Sequence, residues 1–226
     1  MTLKIFYLVL FSFVIYTAQG QIDTEVEFAN AAREFLDAPK VVKSIDDVEL
    51  EKTSHVKYLS RGFKKAYVSS SKEIYYLRYN IFSDEMEFTR NEKTYALNKR
   101  ENSIIDFFEI KKKYAVFKLE GELNYFQIVA TGKNTLLKKQ TIDFEKGKKA
   151  ITQFDVAIKP KYSKNKANLY IAFNNTALVK VPKKKKKFYK LFGSKKDLIK
   201  KFIKNKRLAI KKETDLKTIL TYYNSL

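Results

Sequence analysis

The amino-acid sequence predicts a mostly β protein of the α+β class, in which an antiparallel meander forms a sandwich or an incomplete barrel flanked by helices. Apolar and polar residues alternate with period two through residues 75–81 and through later segments of the central zone, as in half-buried strands. The stretches between these segments are short, which favours hairpins over parallel crossovers. Residues 183–226 change to helical spacing, which predicts two C-terminal helices.

The first 20 residues have the order of a cleavable secretory signal peptide. Lys4 supplies a positive charge, residues 5–16 are almost continuously apolar, and the small residues Ala18 and Gly20 precede the expected cut. A helix needs about 20 apolar residues to cross a bilayer, so this run is too short for an anchor. The chain has no cysteine, which excludes a lipoprotein-style attachment. We therefore expect an exported protein, either periplasmic or extracellular.

Charge divides the rest of the chain into three zones. Residues 21–51 hold nine acidic and three basic residues, residues 52–182 hold 13 and 26, and residues 183–226 hold three and 16. In the acidic segment, helical spacing over residues 24–37 followed by Pro39 predicts one amphipathic helix. The expected organisation is a signal peptide (1–20), an acidic segment with this helix (21–51), an antiparallel β domain (52–182), and a basic linker with a two-helix tail (183–226).

The central zone contains eleven strand-like segments, from which we expect roughly nine or ten strands. A twisted sheet of that size tends to curl into a barrel or to fold into a sandwich. The candidate strands are residues 66–68, 75–81, 86–89, 94–97, 104–110, 114–119, 125–131, 136–144, 152–158, 168–173 and 178–181.

Two short amphipathic helices are predicted in the tail, with Ser194 and Thr214 as their N-caps. Each has an apolar stripe too small to form a separate core, so we expect both helices to pack on the sheet or on each other. The stripes are Leu198, Ile199, Phe202 and Ile203 in the first helix, and Leu216, Ile219, Leu220 and Tyr223 in the second.

Three short motifs carry a resemblance to a known group of proteins. They are Arg78-Tyr79-Asn80, the hairpin that holds Asp84-Glu85-Met86-Glu87, and the terminal Tyr222-Tyr223-Asn224. In this layout the chain resembles uncharacterised exported β-rich proteins of Bacteroidota. The resemblance implies a β-rich fold and an envelope or extracellular location, and it implies no activity.

The residue inventory excludes most catalytic chemistry. With no cysteine and His55 as the single histidine, cysteine-containing zinc sites, multi-histidine zinc sites and Cys-His dyads are unavailable. A Ser-His-Asp triad would need His55, whose polar neighbours favour a surface or capping role. The six glycines never approach a phosphate-loop pattern, and acidic residues 46–51 lack the glycine of an EF-hand. The sequence therefore predicts no cofactor and no metal site.

Paired carboxylates are the catalytic option that composition leaves open. Asp84, Glu85 and Glu87 lie on one predicted hairpin, and strand alternation puts Glu85 and Glu87 on one face, about 7 Å apart. That separation suits an acid/base pair acting on a glycoside. The alternative interpretation, which the alternation with Met86 and Phe88 favours, is a solvent-facing set of acids.

The basic tail is the strongest compositional feature. Its lysines could bind an anionic polymer or membrane surface while the neighbouring rings stack or insert, or they could form a solvated linker. Only six of the 46 basic residues are arginine, which weakens the case for bidentate phosphate recognition, and export disfavours nucleic acid. The candidate binding residues are Lys183, Lys184, Lys185, Lys186, Lys187, Phe188 and Tyr189.

Together these features favour a non-catalytic binding or scaffold component of the cell envelope or of the secreted fraction. The alternatives are binding to an anionic glycan or membrane surface through the basic tail, and a carboxylate-based hydrolase. The expected partner is an anionic envelope polymer or a membrane surface, and the residues do not specify it further.

Overall fold

The computed structural model describes residues 55–152 and 154–226. The predicted signal peptide and N-terminal helix lie outside the described residues. Twelve strands and three helices form in the described part. The strands are β1 (Lys64–Val68), β2 (Glu73–Asn80), β3 (Glu85–Arg90), β4 (Lys93–Ala96), β5 (Ile104–Phe107), β6 (Lys112–Leu119), β7 (Glu122–Ala130), β8 (Thr135–Thr141), β9 (Phe144–Glu145), β10 (Lys161–Tyr162), β11 (Lys166–Phe173) and β12 (Ala177–Lys180). The helices are α1 (Lys185–Lys190), α2 (Lys196–Asn205) and α3 (Glu213–Asn224).

Ten strands form one antiparallel sheet in the order β12-β11-β8-β7-β6-β5-β1-β2-β3-β4. Strands β1 to β4 form one meander, and β5 to β8 form a second that continues into β11 and β12. The pairing of β1 with β5 joins the two. Residues 142–165 form a long excursion between β8 and β11 that contains the two-stranded ribbon of β9 and β10. The prediction of a mostly β fold with an antiparallel meander is confirmed.

The hairpins are closed by turns that need left-handed backbone. Between β3 and β4, Asn91 and Glu92 have φ of 48° and 62°, and between β6 and β7, Glu120 and Gly121 have φ of 53° and 93°. Two consecutive positive φ values are the mark of a type I′ turn, whose twist matches that of paired strands. The short stretches between the predicted strands therefore do form hairpin turns.

The sheet curls far enough to cover part of itself, although it does not close. The Tyr79 ring on β2 lies 5.0 Å from that of Tyr114 on β6 and 6.0 Å from that of Tyr125 on β7. Strands β1 and β5 separate β2 from β6 in the sheet, so these contacts require strong curvature. All three tyrosines are almost completely buried. Strands β4 and β12 remain as edges, which makes the sheet an incomplete barrel.

The three helices cover one face of the sheet. Leu136 on β8 and Ile171 on β11 form a buried cluster with apolar residues of the tail, whereas the next residue along β8, Leu137, packs in a cluster on the opposite face. Both leucines have no exposed surface because each face is covered. The expectation that the tail helices pack on the sheet is confirmed. The tail members of the cluster are Phe188, Phe192, Ile199, Ile203, Ile210, Leu216, Ile219 and Leu220.

The end of α3 is fastened to the turn between β7 and β8 by two asparagines. Asn134 donates its backbone N–H and its Nδ2 to Oδ1 of Asn224, at 3.0 and 2.8 Å, and Nδ2 of Asn224 donates to the Asn134 carbonyl at 2.8 Å. A Cβ on Gly132 would clash with Nδ2 of Asn224, so a side chain at this position would displace the Asn224 amide. The terminal Tyr-Tyr-Asn motif is thus part of the packing of the tail.

Three details of the sequence-based prediction are wrong. Residues 152–158 form no strand beyond a single bridge between Lys148 and Ile158, because no neighbouring strand extends to meet them. Residues 185–190 of the expected linker form helix α1, so the tail has three helices. The helices α2 and α3 start after Lys195 and Lys212, and neither Ser194 nor Thr214 caps them.

Candidate anionic-surface site

The pentalysine segment, residues 183–187, leads from the edge strand β12 into helix α1. All five lysines are exposed, whereas Phe188 has no exposed surface and Tyr189 is half-buried. The Phe188 ring packs 5.1 Å from that of Phe192 within the cluster under the helices. The expectation that Phe188 contacts a ligand is therefore wrong, because its ring is part of the core. Its role is to hold the segment in place while the lysines face solvent.

Few carboxylates neutralise the tail. Between residues that the structure describes, no ion pair within 4.0 Å involves the pentalysine segment. Glu213 pairs with Lys138 on β8 at 2.9 Å, and Asp215 accepts the Ala209 N–H at 2.8 Å. Two of the three acidic residues in the tail are thus engaged away from the pentalysine segment. Five adjacent lysines repel one another, so an anionic partner would relieve that repulsion.

A groove of about 580 Å³ lies beside the start of the pentalysine segment. Three exposed lysines, Lys180, Lys183 and Lys211, line it together with apolar side chains from β11 and the tail. Such a lining suits a ligand with negative charge and an apolar portion. Sequence reasoning missed Lys180 and Lys211, because they meet in space only when the tail folds back onto the sheet. The apolar lining residues are Ala167, Leu169, Val181, Pro182, Ile210 and Leu216.

Asp84 lies in the turn between β2 and β3, and its carboxylate fastens that turn to the opposite part of the sheet. Its Oδ1 accepts the Tyr79 hydroxyl at 2.6 Å and pairs with Nζ of Lys139, while Oδ2 accepts Nζ of Lys99 and the Tyr125 N–H at 2.9 and 3.2 Å. Burial lowers the pKa of Lys139, and the neighbouring Asp84 partly offsets this effect. The pKa of Tyr79 is raised well above its usual value, chiefly by burial and then by Asp84. The arrangement neutralises the buried lysine and stabilises the curled sheet.

Glu87 on β3 is completely buried. Its Oε2 accepts Nη2 and Nε of Arg78 at 2.7 and 3.2 Å, and its Oε1 accepts Nδ2 of Asn80 at 2.7 Å. The Arg78 guanidinium also lies over the Tyr58 ring, 3.7 Å from its centre. The interpretation of Glu87 as a solvent-facing acid is wrong, because its carboxylate is buried and pairs with the half-buried Arg78 directly opposite on β2.

The structure does not bring the three carboxylates together as an accessible acid/base pair. Asp84 and Glu87 each bind basic groups inside the fold, and Glu85 is half-buried on the same strand. His55 is exposed in a short 3-10 turn, His55–Lys57, as its polar neighbours predicted. In the described ranges, no group of three or more His, Asp or Glu side chains is arranged to hold a metal ion.

Within the described part of the chain, none of the helices combines the length and the apolar character needed to cross a bilayer. Comparisons with protein-family models, with curated proteins and with solved structures gave no match to this chain. The fold and the site therefore define the class directly: an open, curled antiparallel sheet that carries a basic three-helix tail.

Proposed function

We propose that this is a non-catalytic binding protein of the cell envelope or secreted fraction that attaches to an anionic surface through its basic tail. The observation that carries the proposal is the exposure of all five lysines of the pentalysine segment next to the buried Phe188. Because that ring fixes the start of the tail, binding does not first have to order a loose chain. The predicted signal peptide supports placing the protein in a compartment rich in anionic polymers and lipids.

The expected attraction is moderate and depends on salt. Each lysine near an anionic membrane contributes about 1 kcal/mol, so five adjacent lysines provide on the order of 5 kcal/mol. That free energy corresponds to a dissociation constant of roughly 0.2 mM. The lysines around the groove and along the helices would add to it. Screening shortens the range of this attraction to about 8 Å at physiological ionic strength.

A comparison of two five-lysine variants tests the proposal. In the tail variant, all five lysines of the pentalysine segment are replaced by serine. The control variant loses the same charge from exposed positions elsewhere: Lys72, Lys93, Lys111, Lys118 and Lys133. We expect the tail variant to elute from immobilised heparin at much lower salt than the control variant does. Equal retention of the tail variant and the unchanged protein would contradict the proposal.

A further inference from the structure

The excursion between β8 and β11 carries an exposed apolar tip. Ile151, Phe154 and Val156 are exposed by 84, 86 and 82%, and Ile158 by 52%. Single exposed apolar residues are common, but a contiguous group of large ones marks a site of interaction with a protein or a membrane. The sequence places these four residues within eight positions, at the end of one loop.

The tip has a defined shape on a fixed base. The rings of Phe144 on β9 and Tyr162 on β10 lie 5.3 Å apart, and both contact Phe82 in the turn between β2 and β3. Further out, the backbones of Lys148 and Ile158 exchange two hydrogen bonds of 2.8 Å. At the tip, Oδ2 of Asp155 accepts the N–H groups of Ile151 and Thr152 at 3.1 and 3.0 Å. The apolar side chains are therefore carried by a loop that has its own backbone and side-chain hydrogen bonds.

Lysines surround this apolar tip. One arm of the loop carries Lys146, Lys148 and Lys149, and the returning arm carries Lys159 and Lys161. The single acid between residues 146 and 164 is Asp155, whose carboxylate already accepts two backbone N–H groups. An apolar tip inside a basic collar complements the acyl chains and anionic headgroups of a lipid monolayer. Lys161 also pairs with Glu145 at 3.3 Å. An uncharged apolar groove on a protein would cover the tip without complementing the net positive charge of the collar.

The loop and the pentalysine segment leave the sheet at the same end. Strand β8 ends where the excursion begins, and β11 starts where it returns. Because β12 is antiparallel to β11, the chain runs toward that end as it leaves β12: Lys180 pairs with Tyr170 in the middle of β11, and Lys183 lines the groove together with Ala167 near the start of β11. A surface that meets the loop can therefore also meet the start of the basic tail.

We propose that the anionic surface is a lipid bilayer and that Ile151, Phe154 and Val156 insert among its acyl chains. The surrounding lysines and the pentalysine segment then contact the headgroups. This inference rests on the proposed function, because it names the surface to which the tail binds.

The chain has no tryptophan, so one introduced tryptophan reports on its own surroundings. Phe154→Trp places the reporter at the tip. Phe108→Trp is the matched control, since Phe108 is 48% exposed in the turn between β5 and β6, at the opposite end of the sheet. With vesicles of phosphatidylcholine and phosphatidylglycerol, we expect Phe154→Trp emission to move to shorter wavelength and to be quenched by brominated lipid. The control emission should stay unchanged.

A second variant measures the contribution of the tip. Ile151→Ser/Phe154→Ser/Val156→Ser should lower partitioning into these vesicles by on the order of a thousandfold while heparin retention stays the same. If vesicles still bind but the reporter does not respond, the lysines act alone and insertion is overturned. If neither vesicles nor heparin retain the protein, the proposed function fails as well. A wavelength shift that grows with protein concentration without lipid would overturn the inference in favour of a second copy covering the tip.

Discussion

The carboxylate of Asp84 provides a quantitative test of how the curled sheet is held. Asp84→Asn removes the charge that faces buried Lys139 and keeps the shape of the side chain. Asparagine also tolerates the left-handed backbone at this position, where φ is 57°. The variant therefore isolates the loss of the ion pair from any loss of turn geometry.

The expected loss of stability is large. Removing one partner of a buried ion pair typically costs about 3 to 5 kcal/mol, because the other charge stays buried without compensation. Lys139 is 6% exposed. The Tyr79 hydroxyl and the Tyr125 N–H bind different oxygens of Asp84, and asparagine keeps one acceptor oxygen, so one of these two donors also loses its acceptor. Lys99 pairs with the same carboxylate but is partly exposed, so water can replace its partner. We therefore expect Asp84→Asn to lower the free energy of unfolding by about 3 kcal/mol or more.

Urea unfolding followed by circular dichroism measures this change. The matched control is Asp143→Asn, which removes the carboxylate from an exposed pair with Lys166 and should leave the urea midpoint essentially unchanged. Lys139→Met removes the buried charge instead, and Asp84→Asn/Lys139→Met should cost less than the sum of the single changes. Strict additivity, or equal midpoints for Asp84→Asn and Asp143→Asn, would refute the assignment of Asp84 as the counterion of Lys139.

Three further predictions concern titration, the tail and the loop. Burial, and then the nearby Glu87, raises the pKa of Tyr58 to about 12, and burial also raises the pKa of Tyr114. Unfolded tyrosines lose their protons near pH 10, so these groups should not affect the free energy of unfolding below pH 10 and should lower it between pH 10 and 12. Ultraviolet titration should then show tyrosinate appearing together with unfolding. Reversible ionisation of every tyrosine before unfolding would contradict this prediction. Asn224→Ala removes the side-chain hydrogen bonds to Asn134 and should cost about 1 to 3 kcal/mol, whereas Ser225→Ala, next to it and exposed, should have little effect on the same urea midpoint. Gly147→Ala would put a Cβ 2.8 Å from the Ile158 carbonyl oxygen, so it should distort the loop and weaken vesicle binding without changing heparin retention.

The fold class could be predicted because its determinants are local. Strand periodicity and short turns identified the hairpins, and the same logic applied to the turn after β2 gives the residue opposite Glu87, although we did not draw that conclusion from the sequence. A four-residue turn at 81–84 pairs Asn80 with Glu85 and Arg78 with Glu87, which is the observed register. Alternation alone made Glu87 look solvent-facing, because the pattern of one strand contains no information on what covers its second face. An arginine opposite a glutamate was the available indication of a buried pair.

Long-range contacts explain the remaining differences. Whether Phe188 faces solvent depends on helices that follow it in the chain. The five lysines before it favoured an exposed position, although Phe188, Phe192 and Ile199 belong to one apolar cluster. Residues 152–158 have the composition of a strand, but no strand lies beside those that the structure describes, residues 152 and 154–158, and their side chains remain exposed. β-propensity describes how well a segment fits a pleated surface and does not supply the neighbouring strand.

The pentalysine segment and the apolar tip should respond differently to salt, and this difference separates their contributions to membrane binding. Attraction between the pentalysine segment and anionic headgroups is screened as ionic strength rises. Insertion of the apolar tip is strengthened by sulfate, since such salts favour burial of apolar surface. If the pentalysine segment and the apolar tip act on one bilayer, binding of the unchanged protein should weaken as chloride is added and then persist at a level set by the tip. At the same high chloride concentration, Ile151→Ser/Phe154→Ser/Val156→Ser should lose binding completely. A single monotonic loss for both proteins would mean that charge alone holds the protein to the surface.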